Sequence, residues 1–435
     1  NWLHHAALFR PEVFVSRYED LVRRAPADWS AQLLLAKAYE RVNRLAHAQA
    51  KLQSILATVP ADGDPGIRRE VESQQAQLAM RRHSYASARR LLENVGPGHD
   101  AHDAHYFALA KACDRLGDTA ATMRALETAH AIQIRQLHLS NPSLLEPDAP
   151  PLPHVNDRVS EDDYRAWPML KAPETSQSPV FVVGFPRSGT TLLEQMLDAH
   201  PSLQSMDERP FLNTLANQLE NVGLEVPQDL HKLTQRDCDE LRKGYVILAC
   251  GKVSRQWGAR LVDKNPLNMS WLPMIHRMFP QAKFIFVLRH PCDVILSCYL
   301  QNFRAAPLVA ACRSLETLAH AYVAAMENWL HHAALFRPEV FVSRYEDLVA
   351  DTPAQTGKIA AYLELGEAES MLRFAERAQE KGYIRTPSYT QVTEPISASG
   401  VNHWRHYARH FEPVLPILQP VLAHWGYGVE ASPHG

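Results

Sequence analysis

A glycine-rich loop between a predicted strand and a predicted helix constrains the fold of this chain more than any other feature. The run VFVV at 180–183 is short and continuously apolar, as in a strand buried within a parallel sheet. GFPRSGTT follows at 184–191, and LLEQMLDAH at 192–200 has the apolar spacing of a helix. A strand, a glycine loop and a helix in this order bind phosphate through backbone N–H groups and the helix N-terminus. The sequence therefore predicts an α/β domain with a P-loop-like unit and a central parallel sheet.

The loop differs from the nucleoside triphosphate motif GxxxxGK[ST] at the position of the lysine. Thr190 stands at that position, so the main cation for the β- and γ-phosphates is missing. Arg187 supplies a cation from within the loop, and its planar guanidinium suits a phosphate or a sulfate. The sequence therefore disfavours an ordinary ATPase or kinase, while a phosphotransferase acting on ATP stays open as an alternative.

A second strand–helix unit carries another cation. KFIFVL at 283–288 predicts a buried strand, Arg289 lies at its carboxyl end, and HPCDVILSCYLQNF opens a helix. Ser297 lies eight residues after Arg289, one to two turns into that helix. An arginine that leaves a strand and a serine at this spacing can converge on one phosphate.

Taken together, residues 179–427 resemble the sulfotransferase family, whose donor is 3′-phosphoadenosine 5′-phosphosulfate. PRSGTT is similar to the 5′-phosphosulfate loop of that family, and RHPCDVILS is similar to its 3′-phosphate motif. The chain most resembles bacterial sulfotransferases that carry N-terminal tetratricopeptide repeats, and the tyrosylprotein sulfotransferases. The segments with this closer similarity are DKNPLNMSWL (263–272), SCYLQNF (297–303), RYEDLVAD (344–351) and PSYTQVTEPISASGVNHWRHY (387–407).

The resemblance implies a donor site. The loop would hold the 5′ side of the donor, Arg289 and Ser297 would hold its 3′-phosphate, and Tyr345 matches a position near the adenine. The donor-binding residues implied in this way are Arg187, Ser188, Gly189, Thr190, Thr191, Arg289, Ser297, Tyr345 and Ser388.

The resemblance also implies catalytic roles. Glu208 matches the carboxylate that tyrosylprotein sulfotransferases use as general base, and Lys264 matches the lysine that stabilises the transferring sulfuryl group and the leaving oxygen. Arg187 would share in that stabilisation, and Ser388 would help to position the donor. The product would be adenosine 3′,5′-bisphosphate, and the reaction requires no metal. The acceptor would be a hydroxyl group of a peptide tyrosine, a carbohydrate, a lipid or a small molecule.

The topology of a parallel sheet is expected to bring several of these residues to one place. The carboxyl ends of parallel strands share one edge of a sheet, where ligands bind. SLQSMDERPF (202–211) predicts a strand and then a loop, and RLVDK (260–264) predicts another strand end. Five polar residues at the ends of predicted strands are therefore expected at that edge: Arg187, Glu208, Lys264, Arg289 and Tyr345.

Residues 25–138 are predicted to form a separate helical domain. Good helix formers dominate this stretch, and small residues recur in pairs at tetratricopeptide-like spacing, as at Ala36 and Ala48 or Ala76 and Ala88. A generic antiparallel helical bundle is the alternative. Such repeats bind protein partners or brace a neighbouring domain, and a catalytically silent scaffold that works through them stays open. The Pro-rich and polar stretch 139–178 is predicted to be a linker, and 179–428 the sulfotransferase domain.

The first 22 residues repeat residues 328–349 letter for letter. In the second copy VFVSRY (340–345) predicts a buried strand followed by a helix, whereas the first copy lacks neighbouring strands to pair with. Such identity fits an artefact of sequence assembly better than a recent duplication. We therefore treat residues 1–24 as a duplicated segment without an assigned function.

Charge and cysteine content limit the environment and the partners. The net charge of −3 disfavours a nucleic-acid partner, and the chain has no apolar run near the ~18 residues of a membrane-spanning helix. Six cysteines without a CxxC pair argue against a disulfide scaffold or a zinc cluster, and Cys292, Cys298 and Cys312 are expected in the core. This usage predicts a reducing, cytoplasmic location.

Overall fold

A computed structural model describes residues 11–59, 65–97, 102–251, 258–381 and 396–428. The chain forms two compact units, one of residues 1–140 and 300–304 and one of residues 141–299 and 305–435. No helix within the described ranges is both long enough and apolar enough to cross a membrane.

The described part of the first unit is helical. Small side chains lie where its helices pack together. The alanines at these positions are each at most 1% exposed: Ala36, Ala48, Ala76, Ala88 and Ala110. This is the packing that tetratricopeptide-like spacing requires, although the assignment to that repeat class stays a prediction. The helices are α1 (Pro11–Arg24), α2 (Trp29–Arg41), α3 (Leu45–Thr58), α4 (Pro65–Arg81), α5 (Tyr85–Val95), α6 (Asp103–Arg115) and α7 (Thr119–Ser140).

The second unit is built on a sheet of five strands, all parallel, in the order β2-β3-β1-β4-β5. The predicted central parallel sheet, preceded by a helical region, is therefore confirmed. The predicted bounds agree for β3 and β4. The strands are β1 (Val180–Gly184), β2 (Leu203–Ser205), β3 (Arg260–Lys264), β4 (Lys283–Leu288) and β5 (Glu339–Arg344).

Helices cover both faces of this sheet, as crossover connections between parallel strands require. On one face Val182, Leu193 and Ile285 are fully buried in one apolar cluster, and on the other Phe181 stacks on Phe284. The α-helices are α8 (Glu161–Arg165), α9 (Thr190–Asp198), α10 (Phe211–Glu220), α11 (Gln235–Cys250), α12 (Leu272–Met278), α13 (Pro291–Tyr299), α14 (Ala306–Ala311), α15 (Leu315–Phe336), α16 (Tyr345–Ala350), α17 (Thr352–Tyr362), α18 (Glu369–Leu372), α19 (Phe374–Lys381), α20 (Ala408–Phe411) and α21 (Leu415–Trp425).

The prediction that VFVSRY forms a buried strand is wrong in one respect. The segment does form β5, but β5 is the edge of the sheet and pairs only with β4. Most of its side chains are consequently exposed or half-buried, and Val342 is 41% exposed. Tyr345 also lies one residue beyond the strand, at the start of α16.

The two copies of PEVFVSRYEDLV adopt different structures. The copy at 338–349 forms β5 and α16, whereas the copy at 11–22 lies within α1. Val15 of the first copy is buried against other helices, while the equivalent Val342 is exposed on the strand. The sequence is the same, so the neighbours available to each copy determine its conformation.

A buried histidine in α15 is expected to make the stability of the fold depend on pH. His332 is fully buried, its Nε2 accepts from the Val159 N–H at 3.2 Å, and its Nδ1 lies 3.3 Å from the side-chain Oδ1 of Asn328. Burial lowers the pKa of His332 to about 3. A proton on Nε2 would point at the Val159 N–H, so the folded protein resists protonation that the unfolded chain accepts.

We therefore expect the free energy of unfolding to fall as the pH drops from 6.5 towards 4. The contribution of His332 is full above pH 6.5 and is lost towards its folded pKa, by about 3 kcal/mol at pH 4. His332→Gln keeps an acceptor for Val159 but does not titrate. Denaturant unfolding over this pH range should show a shallower dependence in the variant, and identical slopes would contradict the prediction.

Candidate active site

The loop after β1 approaches a tyrosine face closely. Arg187 and Gly189 have positive φ angles of 70° and 105°, and a Cβ on Gly189 would lie 2.6 Å from Cδ2 of Tyr345. Only glycine combines this backbone conformation with this approach. The loop leads directly into α9, whose first N–H groups lack carbonyl partners within the helix and can bind an anion.

Two arginines and a serine meet beside this loop. Arg187 Nε donates to Ser297 Oγ at 3.2 Å, and Arg289 Nη1 donates to the Arg187 carbonyl oxygen at 3.1 Å. The Arg289 guanidinium lies 4.8 Å from the ring centre of Tyr345. Four of the predicted donor-site residues are therefore in mutual contact through this cluster.

The charge of this cluster suits an anionic ligand. Burial lowers the pKa of Arg187, and the neighbouring cation of Arg289 lowers it further. Arg289 Nε is buried and has no hydrogen-bond partner among the described residues. Two adjacent guanidinium groups with a remaining donor are the arrangement that a phosphate or sulfate group stabilises.

A second cluster lies at the same carboxyl edge, at the end of β3. Lys264 Nζ donates to Glu208 Oε1 at 2.6 Å and lies 3.0 Å from Glu194 Oε2. The side chains of Lys264 and Glu194 are fully buried, whereas that of Glu208 is 42% exposed. Burial alone would lower the pKa of Lys264, but the two carboxylates outweigh it and raise the pKa. The lysine is therefore held as a cation.

A turn after β2 brings Glu208 to this lysine. Met206 N–H donates to the Val262 carbonyl oxygen at 3.3 Å, which extends the pairing of β2 with β3 by one residue. Asp207 then takes a positive φ of 56°, which turns the chain. Glu208 consequently reaches the end of β3 although it lies three residues beyond the end of β2.

The segment around Gly400 also reaches the site. The Gly400 carbonyl oxygen accepts from Arg289 Nη2. Asp293 holds this segment, because its carboxylate accepts from the N–H groups of Asn402 at 2.8 Å and Trp404 at 2.9 Å. The sequence did not predict this contact, because every residue has a backbone carbonyl and the residue type at 400 does not reveal its use.

Glu194 was also missed, although a signal for it exists. It lies four residues after Thr190 on α9, and residues at this spacing share one face of a helix. A carboxylate within the mostly apolar run LLEQML therefore faces the same region as the loop. Ser388 lies outside the described residues, so its predicted role has no structural counterpart here.

The cysteines near the site are core residues. Cys292, Cys298 and Cys312 are each at most 1% exposed, as expected, and burial raises the pKa of Cys298 to about 12. Within the described ranges there is no group of three or more His, Cys, Asp or Glu side chains that could hold a metal ion.

Fold and site together define an α/β protein with an anion-binding loop and a buried lysine at the carboxyl edge of a parallel sheet. Residues 179–369 match the model of the Sulfotransferase family. The matched segment contains all five strands, and with them Arg187, Glu208, Lys264, Arg289 and Tyr345. This segment therefore matches the Sulfotransferase family, which is the family that the sequence resembles.

Several proteins are similar to this chain, and some of them are named protein-tyrosine sulfotransferases. An uncharacterized protein of Aquifex aeolicus is 31% identical over 254 residues, which are 56% of this chain and 32% of that protein. Protein-tyrosine sulfotransferase 2 of Gallus gallus is 23% identical over 320 residues, which are 71% of this chain and 82% of that protein. The chain thus spans about a third of the Aquifex protein and most of the Gallus one.

Among solved structures, the sulfotransferase domain of the Synechococcus PCC 7002 olefin synthase is similar to this chain. It is 22% identical, the match covers 60% of this chain and 100% of that domain, and the TM-score is 0.41.

Proposed function

We propose that this chain transfers a sulfuryl group from 3′-phosphoadenosine 5′-phosphosulfate to a hydroxyl group of an acceptor. The observation that carries the proposal is the arrangement of the Arg187–Arg289 cluster and the Lys264–Glu208 pair on one edge of a sulfotransferase-family sheet. The first cluster suits the phosphates of the donor, and the second suits the reacting atoms.

The donor would bind across the loop and the arginine cluster. Its 5′ side would accept hydrogen bonds from the backbone and hydroxyl groups of residues 188–191 at the start of α9. Its 3′-phosphate would meet Arg289, whose Nε is buried without a partner among the described residues, and the hydroxyl of Ser297. Tyr345, packed between the loop and Arg289, would bound the nucleoside.

The second cluster would carry the transfer. Glu208, partly exposed to an incoming acceptor, would take the hydroxyl proton as the acceptor oxygen attacks sulfur. The bond between sulfur and the bridging oxygen breaks, and its electron pair stays on the 5′-phosphate of the product. Lys264 would donate a hydrogen bond to that oxygen as its charge develops, and Arg187 would stabilise the sulfuryl oxygens.

We further propose a peptide tyrosine as the acceptor, because relatives of this chain are named protein-tyrosine sulfotransferases. Ser388 would help to position the donor, as the sequence resemblance implies. The helical repeats would bind a protein partner, and the cysteine usage supports a cytoplasmic location.

The donor site can be tested by calorimetric titration without knowledge of the acceptor. We expect adenosine 3′,5′-bisphosphate to bind more tightly than adenosine 5′-monophosphate, because only the former carries the 3′-phosphate. Arg289→Ala should weaken bisphosphate binding by about 10- to 100-fold, the effect of one lost charge-assisted contact, and should bring its affinity close to that of the monophosphate.

Arg373→Ala, which removes an exposed arginine of the same unit, serves as the control and should leave both affinities unchanged. Equal binding of the two nucleotides by the unaltered protein would contradict the proposed donor. Tight binding of ATP with magnesium and without preference for a 3′-phosphate would favour a phosphotransferase instead.

A further inference from the structure

Glu194 is a buried carboxylate to which the proposed reaction assigns no step. Its side chain is fully buried in α9, with Oε2 lying 3.0 Å from Lys264 Nζ. Its other oxygen, Oε1, accepts from the hydroxyl of Ser205 at the end of β2. Both carboxylate oxygens are thus held, one by the candidate catalytic lysine and one by the neighbouring strand.

The charge balance of this cluster is unusual for a buried lysine. One carboxylate would neutralise the ammonium, yet Lys264 lies between two, Glu194 from the core side and Glu208 from the exposed side. With both glutamates ionised, the three groups carry one net negative charge; burial raises the pKa of Glu194, and the Lys264 ammonium and the Ser205 hydroxyl oppose that rise. The second carboxylate therefore keeps a charge that a simple ion pair would have cancelled.

We propose that Glu194 is a positioning residue, which offsets the charge of Lys264 so that Glu208 remains able to take a proton. This inference rests on the proposed function of Glu208 as the base. Without Glu194, the ammonium would pair with Glu208 alone and stabilise its ionised form, and Glu208 would become a weaker base.

The contact between Glu194 and Lys264 also helps to stabilise the leaving oxygen. When Glu208 takes the acceptor proton it becomes neutral, and its attraction for Lys264 weakens. Glu194 Oε2, 3.0 Å from Lys264 Nζ, retains the ammonium at the end of β3, with a donor free to turn towards the bridging oxygen. The proton then resides on Glu208, the negative charge resides on the 5′-phosphate of the product, and the lysine need not move during transfer.

Other charged groups act on this cluster from several elements. Arg187 on the loop interacts electrostatically with Glu208, which raises the pKa of Arg187 against the larger effect of burial. Asp207 and Asp263 interact electrostatically with Glu194. These groups are present in the unaltered protein and in a Glu194 variant alike. Among the described residues, the charged groups that interact with one or both glutamates include Lys264, Arg187, Asp207 and Asp263.

The test compares Glu194→Gln with Asp198→Asn. The glutamine keeps the shape of Glu194 and an acceptor for Ser205 but carries no charge. Asp198 is also buried, lies one turn further along α9, and accepts from the backbone N–H of Ser205 at 2.7 Å. Both variants thus remove one buried carboxylate from the same helix, next to the same serine.

The first readout is the pH at which Glu208 takes up its proton, followed by carbon-13 NMR of carboxyl-labelled glutamate. Glu208→Gln assigns the signal. We expect Glu194→Gln to move this midpoint to lower pH by about one pH unit or more, and Asp198→Asn to leave it unchanged. A midpoint that stays in place in Glu194→Gln would overturn the inference.

The second readout is turnover with tyrosine-containing peptides. Glu194→Gln should lower the plateau of kcat by roughly 10-fold and shift the acid limb of kcat/KM in the same direction as the NMR midpoint, while the affinity for adenosine 3′,5′-bisphosphate stays unchanged. Loss of stability with an unchanged pH profile, as expected for Asp198→Asn, would show a purely structural role. Glu194→Asp, which keeps the charge, should restore the midpoint if the glutamine variant is poorly folded.

These outcomes separate the inference from the proposed function. An NMR midpoint that shifts as expected, in a protein that binds no bisphosphate and modifies no peptide, would leave the coupling intact and overturn the sulfotransferase proposal. Bisphosphate binding and peptide turnover with an unshifted midpoint would support the sulfotransferase proposal and overturn the coupling of Glu194 to Glu208.

Discussion

Glu208→Gln is expected to lower kcat for sulfuryl transfer by about 10²- to 10⁴-fold, the range of a lost general base. The amide oxygen can still accept from Lys264 Nζ, which lies 2.6 Å from the native carboxylate, so the geometry of the cluster persists. An amide cannot take the proton of the acceptor hydroxyl. Binding of adenosine 3′,5′-bisphosphate should change little, because Glu208 does not belong to the arginine cluster.

This prediction is checked by measuring peptide sulfation and bisphosphate affinity on the same preparations. Glu412→Gln, which alters an exposed glutamate of the same unit, is the control and should match the unaltered protein in both. A Glu208→Gln variant that retained full turnover would remove Glu208 from the mechanism. A variant that lost bisphosphate binding as well would place Glu208 in the donor site.

Lys264→Met is expected to reduce both activity and stability. The loss of the ammonium removes the donor to the leaving oxygen and should lower kcat by about 10²- to 10³-fold. It also leaves the Glu194 carboxylate buried without its cation, which costs about 3 to 5 kcal/mol. Both effects have one structural origin, the fully buried Lys264–Glu194 pair.

A double variant separates the two effects. Adding Glu194→Gln to Lys264→Met removes the unpaired charge, so the free energy of unfolding should recover by several kcal/mol relative to Lys264→Met alone. The turnover should not recover, because the ammonium is still missing. Recovery of both would show that the activity loss in Lys264→Met was only a consequence of unfolding.

The bounds of two interior strands of the central sheet were predictable from the sequence. KFIFVL forms β4 with the predicted bounds, because strands inside a parallel sheet are apolar on both faces and leave a continuous signal. RLVDK also forms β3 with the predicted bounds, although only Leu261 and Val262 are apolar. The position of Arg187, Lys264 and Arg289 at the carboxyl ends of β1, β3 and β4 also followed from the pattern of predicted strands, while their roles stay predictions.

The edge of the sheet and the duplicated segment were not predictable in this way. The composition of VFVSRY predicts a buried strand, but it does not indicate whether that strand pairs with one neighbouring strand or with two. The same letters form a helix at 11–22, where helices surround them, so tertiary context rather than propensity decides the outcome.

Glu194 and Gly400 mark a second limit of sequence reasoning. Glu194 acts through a contact with Lys264 that joins residues 70 positions apart, and Gly400 acts through its backbone. Contacts of this kind depend on how helices and loops pack onto the sheet. Ser388, by contrast, remains a prediction from resemblance alone.

A crystal structure of the protein with adenosine 3′,5′-bisphosphate tests the central claim most directly. The account predicts the 3′-phosphate within about 3 Å of the Arg289 guanidinium and the Ser297 hydroxyl, and the 5′-phosphate over the N–H groups of residues 188–191, facing Lys264. A nucleotide bound in the reverse orientation, or away from the carboxyl edge of the sheet, would contradict it.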